Sequence, residues 1–532
     1  MNKQKIVIVG AGMAGLTAAA YLVRENYDVL LLDKNDRIGG LLNTFDHQGF
    51  KFDAGPRAFV NSGMVKPILK DLGVAWDFVD NRISIGIEDR LLTVDSMQSL
   101  AVYQHILQDL YPENAEEIAT IFRSIKKLCD YTKVLYEFDN PNFVDITKDK
   151  KFLFFELIPW TIKLLLTLRK FDRYKMPMED FLDGYIDNQS FKDILTQLFF
   201  RQTPTYFALG YFYVYLDYFY PKGGTIALPN ILHEKAITGG GNIKLNTHIV
   251  EVVPAKSIVI DSDGNPYGFD QLIWAADLKT LYRMINHKGL EKKTSSAIEI
   301  KARKMLSSKG AESSFMMFIG VDRPSSFFQE HGGEHMFYTP VRKGLGETIR
   351  TEQQSLLDDF ENRTKAEVWD WLDKFCQLNS FEVSVPALRD PDLAPEGQTG
   401  LMISCLFDYT IAKKIEEAGW LYEFKERMEH NIIKLFSQTI YKNLEDDVLF
   451  SFSSTPLTIE KVAGSSEGAI IGWSYETKIP VKSDLKELPK SVLTPIPGVF
   501  QAGQWAYAPS GVPIAMLTGW HAAQKIIKAS KQ

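Results

Sequence analysis

"KIVIVGAGMAGLTAAAYLVRENYDVLLLDK", residues 5–34, contains the clearest structural pattern in the sequence. The apolar run from Ile6 to Val9 predicts a buried strand, and a helical pattern follows the glycines, from Met13 to about Glu25. A second apolar run, from Val29 to Leu32, predicts another strand. Because strand, helix and strand follow one another directly, the stretch predicts a βαβ unit with two parallel strands.

The glycines between the first strand and the helix have the GxGxxG spacing, at Gly10, Gly12 and Gly15. Gly10 allows a tight turn, Gly12 lets the backbone approach a pyrophosphate, and Gly15 lets the helix pack closely on the sheet. The N-terminus of the helix presents free N–H groups to the phosphates. Asp33 ends the second strand, where an acid accepts hydrogen bonds from the adenosine ribose. These features together predict a Rossmann-like dinucleotide-binding unit.

The bulk properties of the chain are those of a folded protein with more than one core. Its 532 residues exceed the size of a single hydrophobic core, about 250–300 residues, so two interleaved or consecutive domains are expected. The formal net charge of -7 argues against a nucleic-acid partner. Cys129, Cys376 and Cys405 are widely separated and predict buried free thiols in a reducing compartment, with no metal site. The short apolar run at the N-terminus predicts no export signal, so a cytoplasmic location is expected.

The next segment bears on which dinucleotide is bound. "DRIGGLLNTFDHQGFKFDAGPRAF", residues 36–59, resembles the flavoprotein extension of the amine-oxidase and phytoene-desaturase superfamily. In that superfamily the second glycine pair, here Gly39 and Gly40, passes beside the flavin pyrophosphate and ribityl chain. Asp33 stands where the family usually has Glu, and Leu41 stands where it often has Arg. The resemblance implies that the cofactor is FAD.

Two further stretches carry the same resemblance. "PIPGVFQAGQWAYAPSGVPIAMLTGWHAAQKII", residues 495–527, is similar to the closing motif of the superfamily, with Gln504 in place of the usual Asp. "YPKGGTIALPNILHEKAITGGGNIKLNTHIVEVV", residues 220–253, resembles the family's middle segment, whose backbone packs on the adenine. On this resemblance, the residues expected at FAD are Gly10, Gly12, Ala14, Gly15, Asp33, Lys34, Gly39, Gly40, Leu41, Gly55, Pro56, Arg57, Ile249, Gly503, Gln504, Gly511, Val512 and Pro513.

These motifs span residues 5 to about 525 and resemble the phytoene desaturase and carotenoid or retinoid oxidoreductase branch of the superfamily. The resemblance implies an α/β fold in which a Rossmann-like FAD-binding domain of the GR2 type is interleaved with an α+β substrate domain. That second domain is expected to contain a mixed or antiparallel sheet and a helical region. The predicted parts of the FAD-binding domain are 1–76, 223–290 and 456–532, and those of the substrate domain are 77–222, helical and membrane-facing, and 291–455.

The same resemblance implies an oxidoreductase that acts on C–C bonds of a long apolar polyene or isoprenoid by hydride transfer at flavin N5. Dehydrogenation ranks first. Saturation by reduced flavin, cis-trans isomerisation, a flavin amine oxidase and a non-enzymatic prenyl-binding protein stay open as alternatives. The electron partner is not indicated by any motif, because no second nucleotide-binding pattern is present.

The aromatic stretch "YFALGYFYVYLDYFY", residues 206–220, contains the candidate substrate-binding residues and one candidate proton-transfer group. Tyr211, Tyr215, Tyr218 and Phe219 are expected to line a tunnel to the flavin, although core packing is the favoured interpretation for each ring taken singly. Asp217, and Glu467 in a distant segment, are candidate carboxylates for moving a proton. For either residue taken singly, an ordinary surface or hydrogen-bonded acid is the favoured interpretation.

A third stretch indicates how an apolar substrate arrives. "KDKKFLFFELIPWTIKLLLTLRKFDRYK", residues 148–175, has an apolar centre with basic flanks and is interrupted too often for a membrane span. It predicts either an interfacial helix that binds anionic headgroups and inserts Phe154, Phe155 and Trp160, or a core helix with a basic rim. The sequence leaves both open.

Overall fold

The computed structural model describes residues 3–136, 139–143, 153–346 and 348–531. The strands are β1 Lys5–Val9, β2 Asp28–Leu32, β3 Thr44–His47, β4 Phe50–Asp53, β5 Phe59–Val60, β6 Phe78–Asp80, β7 Ile83–Ile87, β8 Arg90–Val94, β9 Tyr218–Pro221, β10 Asn242–Lys244, β11 Ile249–Val253, β12 Ile258–Asp261, β13 Pro266–Gly268, β14 Gln271–Trp274, β15 Ser313–Val321, β16 His335–Thr339, β17 Phe381–Ser384, β18 Thr399–Phe407, β19 Val448–Ser454 and β20 Val499–Gln501.

The α-helices are α1 Met13–Arg24, α2 Val65–Asp71, α3 Ser99–Leu110, α4 Ala115–Tyr136, α5 Ile158–Phe171, α6 Met178–Asp183, α7 Gln189–Thr196, α8 Thr205–Val214, α9 Ala227–Thr238, α10 Leu278–Arg283, α11 Lys292–Leu306, α12 Ser325–Glu330, α13 Gln353–Asp358, α14 Lys365–Leu378, α15 Tyr409–Glu417, α16 Leu421–Gln438, α17 Pro456–Ala463 and α18 Val512–Ser530. Single π-helical turns lie at Leu153–Leu157 and Thr348–Glu352. Short 3-10 turns lie at Pro112–Asn114, Pro141–Phe143, Asp172–Tyr174, Tyr215–Asp217, Pro254–Lys256, Phe360–Asn362, Pro386–Leu388, Pro391–Leu393, Leu444–Asp447, Ser466–Gly468 and Leu485–Lys490.

A five-stranded parallel sheet in the order β10-β2-β1-β14-β20 forms the first layer. Alternate residues of β1 serve its two faces: Ile6 and Ile8 pack with α1, α9 and α18, whereas Val7 and Val9 pack with the meander β11-β12-β13. Burial on both faces explains why β1 reads as an unbroken apolar run. The sequence prediction of a βαβ unit in parallel register is confirmed.

A seven-stranded mixed sheet in the order β19-β15-β18-β17-β16-β7-β8 forms the second layer. Only the β16 and β7 pair is parallel, and the other neighbouring strands are antiparallel. One face packs on α14 and α16, through residues such as Phe375 and Phe436. The other face is turned towards the parallel sheet, so the space between the two sheets lies in the interior of the protein.

Helices α3, α4, α6, α7 and α8 pack together beside strands β7 and β8. Their shared core contains most of the aromatic stretch, and Cys129 lies in it as a buried free thiol. Cys376 and Cys405 are also buried free thiols, in the core of the mixed sheet. Across the ranges given above, no helix is both long enough and apolar enough to cross a membrane.

The predicted fold class, a Rossmann-like domain interleaved with an α+β domain, is confirmed by this architecture. The parallel sheet draws its strands from three separated stretches of chain, 5–32, 242–274 and 499–501. The mixed sheet takes its strands from 83–94 and 313–454. The exact domain boundaries given above stay predictions.

Candidate functional site

A large cavity lies at the carboxyl ends of β1 and β2, between the parallel and the mixed sheet. Its volume is about 530 Å³, and ligand pockets are typically about 300–1,000 Å³. Glycine-rich turns of the first layer line one end, and side chains of β15 to β18 line the other. Ligands of open parallel sheets bind at the carboxyl ends of the strands, so this is the expected place for a nucleotide.

Three glycines shape the first end, and each meets a different environment. Gly10 has a φ of +108°, and an added Cβ would lie 2.7 Å from the carbonyl oxygen of Ala275. At Gly15 an added Cβ would lie 1.9 Å from the carbonyl oxygen of Gly10. At Gly12 it would meet nothing within 4 Å, because this position opens into the cavity. Gly12 is also the N-cap of α1 and brings no side chain to satisfy the first-turn N–H groups. The turn therefore forms a cradle that fits a pyrophosphate.

Asp33 lies beside this cradle at the end of β2. Its Oδ2 accepts a hydrogen bond from Ala11 N at 2.6 Å, and its Oδ1 accepts one from Asn35 N at 2.8 Å. Burial raises the pKa of Asp33, although these two N–H groups oppose the rise. A carboxylate has about four acceptor positions. Asp33 therefore holds the turn in place and keeps acceptor capacity for ribose hydroxyls.

The second glycine pair joins the cradle to the next segment. Gly39 N donates to Ala11 O at 2.8 Å. The main chain of residues 39–41 therefore runs along the edge of the turn, and these residues line the cavity. This close backbone contact is the structural basis of the resemblance noted in residues 36–59.

A second helix N-terminus reaches the cavity from the C-terminal part of the chain. Gly511 is the N-cap of α18, and Gly511, Val512 and Ala515 line the cavity. Gly503 N donates to Thr518 Oγ1 at 2.9 Å, which ties the preceding loop to this helix. The positive dipole end of α18 therefore favours negative charge in the cavity.

Arg57 is a buried cation in the lining. Its residue is 2% exposed, and its Nη1 donates to Gly55 O at 2.7 Å. Its Nε is buried and has no hydrogen-bond partner among the described residues. Burial lowers the pKa of Arg57, and the carboxylates of Glu382 and Asp53 oppose this. An unpartnered buried N–H of this kind fits a polar or anionic group of a bound cofactor.

The opposite wall is a row of side chains that crosses the mixed sheet. Met316 on β15 pairs with Ser404 on β18, Ser404 pairs with Glu382 on β17, and Glu382 pairs with Phe337 on β16. All four residues line the cavity. We call them the cross-sheet row. It presents one carboxylate among otherwise uncharged side chains.

Glu382 ends a chain of hydrogen bonds that starts at Arg389. Arg389 Nη1 donates to Asn81 Oδ1 at 2.6 Å, and Asn81 Nδ2 lies 3.1 Å from His335 Nδ1. Since arginine only donates, Asn81 must accept with its oxygen and donate with its nitrogen. His335 Nδ1 is then the acceptor, and its Nε2–H donates to Glu382 Oε1 at 3.0 Å.

The protonation states follow from the same contacts. Burial lowers the pKa of His335, and the neighbouring Glu382 only partly opposes this, so the ring stays neutral. Burial would raise the pKa of Glu382, but the His335 hydrogen bond and the Arg57 charge outweigh it and hold that pKa below its usual range. Glu382 is therefore an ionised carboxylate at neutral pH.

A second, smaller cavity adjoins the first. Its volume is about 50 Å³, and it is lined only by apolar and aromatic side chains, including Ile85, Tyr103, Phe212 and Tyr215. Leu198 lines both cavities. Ile85 is the neighbour of Phe337 across the strand pair β7 and β16, so it continues the cross-sheet row. The apolar end of the site therefore extends towards the helical core.

Nearly all of the predicted cofactor residues line the large cavity, from Gly10 to Val512. The exceptions are Gly15 and Pro513. Gly15 lies under the turn against Gly10, and Pro513 is buried in the first turn of α18. Both shape the backbone that surrounds the cavity without facing it.

The two predicted catalytic acids do not reach the cavity. Asp217 Oδ2 accepts a hydrogen bond from Ser62 N at 2.6 Å and thereby fixes a turn. Glu467 pairs with the buried amine of Lys279 and accepts from Gly310 N at 2.6 Å. The structure therefore places both carboxylates in structural contacts away from the lining.

The predicted aromatic wall is mostly core. The hydroxyls of Tyr211 and Tyr218 are 2.7 Å apart and satisfy each other. The Phe219 ring lies 4.7 Å from Phe78, between ring centroids, in the core beneath the parallel sheet. Of the four predicted substrate residues, Tyr215 lines the smaller cavity, and the other three line neither of the two cavities described above. Tyr218 and Phe219 belong to strand β9, and their rings pack on His335 of β16 and on Phe78 of β6.

Sequence reasoning missed the cross-sheet row and Trp274, which also lines the cavity. The row is formed by pairing between strands that are distant in sequence, so no local spacing of residues predicts it. One signal was nevertheless present. Glu382 stands between Phe381 and Val383 in a buried strand, and charged residues in such strands are rare without a partner.

The segment 153–171 is surface-exposed on one side. Phe154 and Phe155 are 61% and 79% exposed. Ile158, Ile162, Leu165 and Leu166 of α5 are also exposed and fall on one helix face. Trp160, predicted to insert with the phenylalanines, is buried instead, and its indole N–H donates to Val134 O at 2.8 Å. Residues 148–152 lie outside the described residues.

Comparisons with known proteins agree with this geometry. Residues 8–72 match a family model described as an NAD(P)-binding Rossmann-like domain. A 4,4'-diapophytoene desaturase (4,4'-diaponeurosporene-forming) of Staphylococcus aureus strain MRSA252 is 22% identical over 554 residues, covering 99% of this chain and 99% of the relative. The sequence resemblance to phytoene desaturases is thereby confirmed over the full length.

Solved structures share the fold. An oxidoreductase from Methanosarcina mazei superposes with a TM-score of 0.61 at 14% identity, covering 99% of this chain and 100% of that one. A putrescine oxidase bound to putrescine superposes with a TM-score of 0.58 at 12% identity, covering 99% of both chains. With the full-length relatives and the Rossmann unit, the chain is a phytoene desaturase-like oxidoreductase.

Proposed function

We propose that the chain binds FAD and dehydrogenates C–C bonds of a long apolar polyene or isoprenoid. The observation that carries this proposal is the continuity of the large cavity, which joins the glycine cradle at Gly12 to the cross-sheet row at Phe337. One end of the cavity fits a nucleotide cofactor and the other fits an apolar substrate. Because the two ends share one space, the two molecules can be in contact, as hydride transfer requires. The full-length desaturase relatives support the same choice of substrate class.

The residues of the first end fit FAD in three ways. The open space at Gly12 and the N-terminus of α1 suit the pyrophosphate. Asp33 has acceptor capacity for the ribose, and the N-terminus of α18 favours negative charge farther along the cavity. When bound, FAD supplies the acceptor for a hydride. The protein's own contribution is to hold the reacting carbon in place and to keep water out.

The residues of the second end fit an extended apolar chain. Met316, Phe337 and Leu406 line the large cavity, and Leu198 lies where this cavity meets the smaller apolar one. A molecule that fills both spaces buries apolar surface, and each Å² buried contributes about 25 cal/mol of favourable free energy. A short molecule gains little from the smaller cavity. The arrangement therefore favours long substrates.

A flavin amine oxidase is the second candidate, and one observation favours it. Glu382 is an ionised carboxylate in the lining, and a substrate ammonium group would pair with it. Arg57 lies in the same lining and acts against a second positive charge. In the cross-sheet row, Glu382 has the Ser404 hydroxyl on one side and the Phe337 ring on the other, so the row offers an amine few further polar contacts. Dehydrogenation of an apolar chain therefore ranks first.

The test begins with the cofactor and then separates the substrate classes. The purified protein should be yellow and should release FAD on heating or acidification, because no cysteine or histidine occupies a linkage position in the recognised motifs. Incubated in air with a hydrogenated polyene, it should form a product whose absorbance shifts to longer wavelength as conjugation grows. Rapid formation of hydrogen peroxide from a simple diamine, with no change in any polyene, would support the amine oxidase. A colourless protein that refuses FAD would support a non-enzymatic lipid-binding protein.

The redox state of the flavin that product formation requires identifies the direction of the reaction. Product formed by the oxidised protein with loss of hydrogen identifies a desaturase. Product formed only by the reduced protein with uptake of hydrogen identifies a saturase, and product formed without net change in the flavin identifies an isomerase. The proposal expects the first result.

We also propose that the exposed face of the segment 153–171 contacts a membrane surface. We call this face the apolar ridge and define it as Phe154, Phe155, Ile158, Ile162, Leu165 and Leu166. Exposed basic residues lie on the same helix, among them Arg169 and Lys170. An amphipathic helix with apolar and basic groups binds anionic lipid by burial and by charge.

Flotation with lipid vesicles tests the apolar ridge. The protein should float with anionic vesicles, and binding should weaken in high salt and with neutral vesicles. Replacing Phe155, Ile162 and Leu166 with serine should abolish flotation. Tyr422→Ser is the matched control, because Tyr422 is 72% exposed on the distant helix α16. Unchanged flotation of the triple variant would refute this surface as the contact.

A further inference from the structure

We propose that Glu382 accepts the proton that leaves the substrate, and that His335 orients its carboxylate for this step. The inference rests on the proposed dehydrogenation and adds the identity of the proton acceptor. It starts from the position of Glu382 in the cross-sheet row, between Ser404 and Phe337, where an apolar substrate would lie.

The carboxylate is both held and accessible. One oxygen, Oε1, accepts from His335 Nε2 at 3.0 Å, and the other accepts only a long hydrogen bond of 3.4 Å from the Ser404 hydroxyl. The side chain has 33% of its surface accessible, although strands lie on both sides of it. Since Glu382 lines the cavity, that accessible surface opens into the cavity. Oε2 is therefore the oxygen available to a substrate.

Other titratable groups line the cavity as well. Lys34 follows Asp33 and His248 precedes Ile249, so both lie at the first end. Asp33 and Asp277 each use both carboxylate oxygens to hold backbone N–H groups, of Ala11 and Asn35 and of Thr280 and Ser466. Arg57 remains protonated in proteins. Burial raises the pKa of the Cys405 thiol far above its usual value, so it stays protonated. Glu382 is thus the carboxylate beside the apolar wall.

The hydrogen-bond chain explains how the carboxylate stays fixed and ionised. Arg389, Asn81 and His335 each donate to the next group, and the last N–H points at Glu382. Every dipole in the chain therefore stabilises negative charge on Glu382. His335 already donates its ring proton to Glu382 and its other nitrogen is occupied, so it cannot carry the proton away. Its role is that of a positioning residue.

The proposed step removes a hydride and a proton from neighbouring carbons of the substrate. A hydride leaves one carbon for the flavin, which is the oxidant. A C–H bond on the neighbouring carbon breaks, its electron pair becomes the new C=C π bond, and its proton forms an O–H bond with Glu382. A proton beside a developing positive charge is strongly acidic, so a carboxylate of low basicity is sufficient. The same negative charge stabilises the developing cation.

The central test compares Glu382→Gln with Glu334→Gln in the flavin-loaded protein. Glutamine keeps the shape and the acceptor for His335 but cannot take up a proton. Glu334 is the matched control, because it lies beside the same strand pair, accepts from Arg82 N at 2.9 Å and does not line the cavity. Glu382→Gln should retain flavin and bind the polyene, yet its anaerobic flavin bleaching should slow by about 100-fold or more. Glu334→Gln should bleach at the wild-type rate.

An infrared difference spectrum gives a readout that does not depend on the rate. After one anaerobic turnover, the wild-type protein should gain a protonated-carboxyl band, and Glu382→Gln should lack it. His335→Ala should slow bleaching by up to about 100-fold through misplacement of the carboxylate. His335→Gln, which restores an N–H donor, should recover most of the rate.

Several results would overturn the inference. Bleaching of Glu382→Gln at the wild-type rate would exclude a role in proton transfer. Loss of flavin from this variant would assign Glu382 to cofactor binding, and a weaker substrate affinity with an unchanged maximal rate would assign it to substrate binding. A wild-type protein that no polyene bleaches would contradict the proposed function itself, and this inference with it.

Discussion

The two ends of the large cavity are built in different ways. At the cradle, main-chain atoms within a short stretch of sequence make the surface, and Gly10, Gly12 and Gly15 determine its shape. At the cross-sheet row, side chains from four strands make the surface, and those strands come from residues 313–407. The shape of the cradle tolerates almost no change in the course of the main chain. The surface of the cross-sheet row depends instead on which side chains the strand register brings together. The difference predicts that substitutions at the two ends fail in different ways.

Gly15→Ala should have the largest effect, because the added methyl group clashes with the main chain itself. Its Cβ would lie 1.9 Å from the carbonyl oxygen of Gly10, and overpacking costs about 1–3 kcal/mol, or more where the backbone cannot move. Thermal unfolding of the variant should therefore show a large loss of stability. A variant with wild-type stability would contradict the close packing of α1 on the turn.

Gly12→Leu should separate cofactor binding from folding. Gly12 has an extended backbone, with φ of -79°, and an added Cβ would meet nothing within 4 Å. The flavin-free variant should unfold at the same temperature as flavin-free wild-type protein. After gel filtration it should carry no flavin, since leucine occupies the pyrophosphate space. Flavin retention at the wild-type level would show that the cofactor lies elsewhere.

Leu198 tests the other end, where the large cavity meets the smaller one. Leu198→Trp should fill the junction and slow bleaching by a long polyene by up to about 100-fold, through misplacement of the reacting carbon. Leu198→Ala should leave the junction open, and neither variant should lose flavin. Equal rates for a long and a short substrate in all three proteins would contradict a substrate that extends past Leu198.

Asp217→Asn should have the smallest effect. The carboxylate accepts a hydrogen bond from Ser62 N at 2.6 Å and does not line the cavity. The variant should lose about 0.5–1.5 kcal/mol of stability while its bleaching rate stays unchanged. A large loss of rate with full flavin content would restore Asp217 as the proton acceptor predicted from the sequence.

The sequence predicts the cradle and not the row, for the same physical reason. A dinucleotide turn is local, so the spacing of Gly10 and Gly12, with Asp33 at the next strand end, is enough to locate it. Glu382 and His335 are neighbours only because β16 and β17 pair in one particular register. Side-chain orientation also depends on tertiary packing, which is why Trp160 is buried although its neighbours Phe154 and Phe155 are exposed.

If FAD binds at the cradle and a polyene binds at the cross-sheet row, the two must react with each other, and one anaerobic mixing experiment shows whether they do. Flavin-loaded protein is mixed with a hydrogenated polyene while the flavin absorbance and the polyene absorbance are recorded together. The account predicts that one equivalent of flavin bleaches for each new double bond, with the same rate constant at both wavelengths. Bleaching by a diamine with no change in the polyene, or a polyene change that leaves the flavin oxidised, would contradict it.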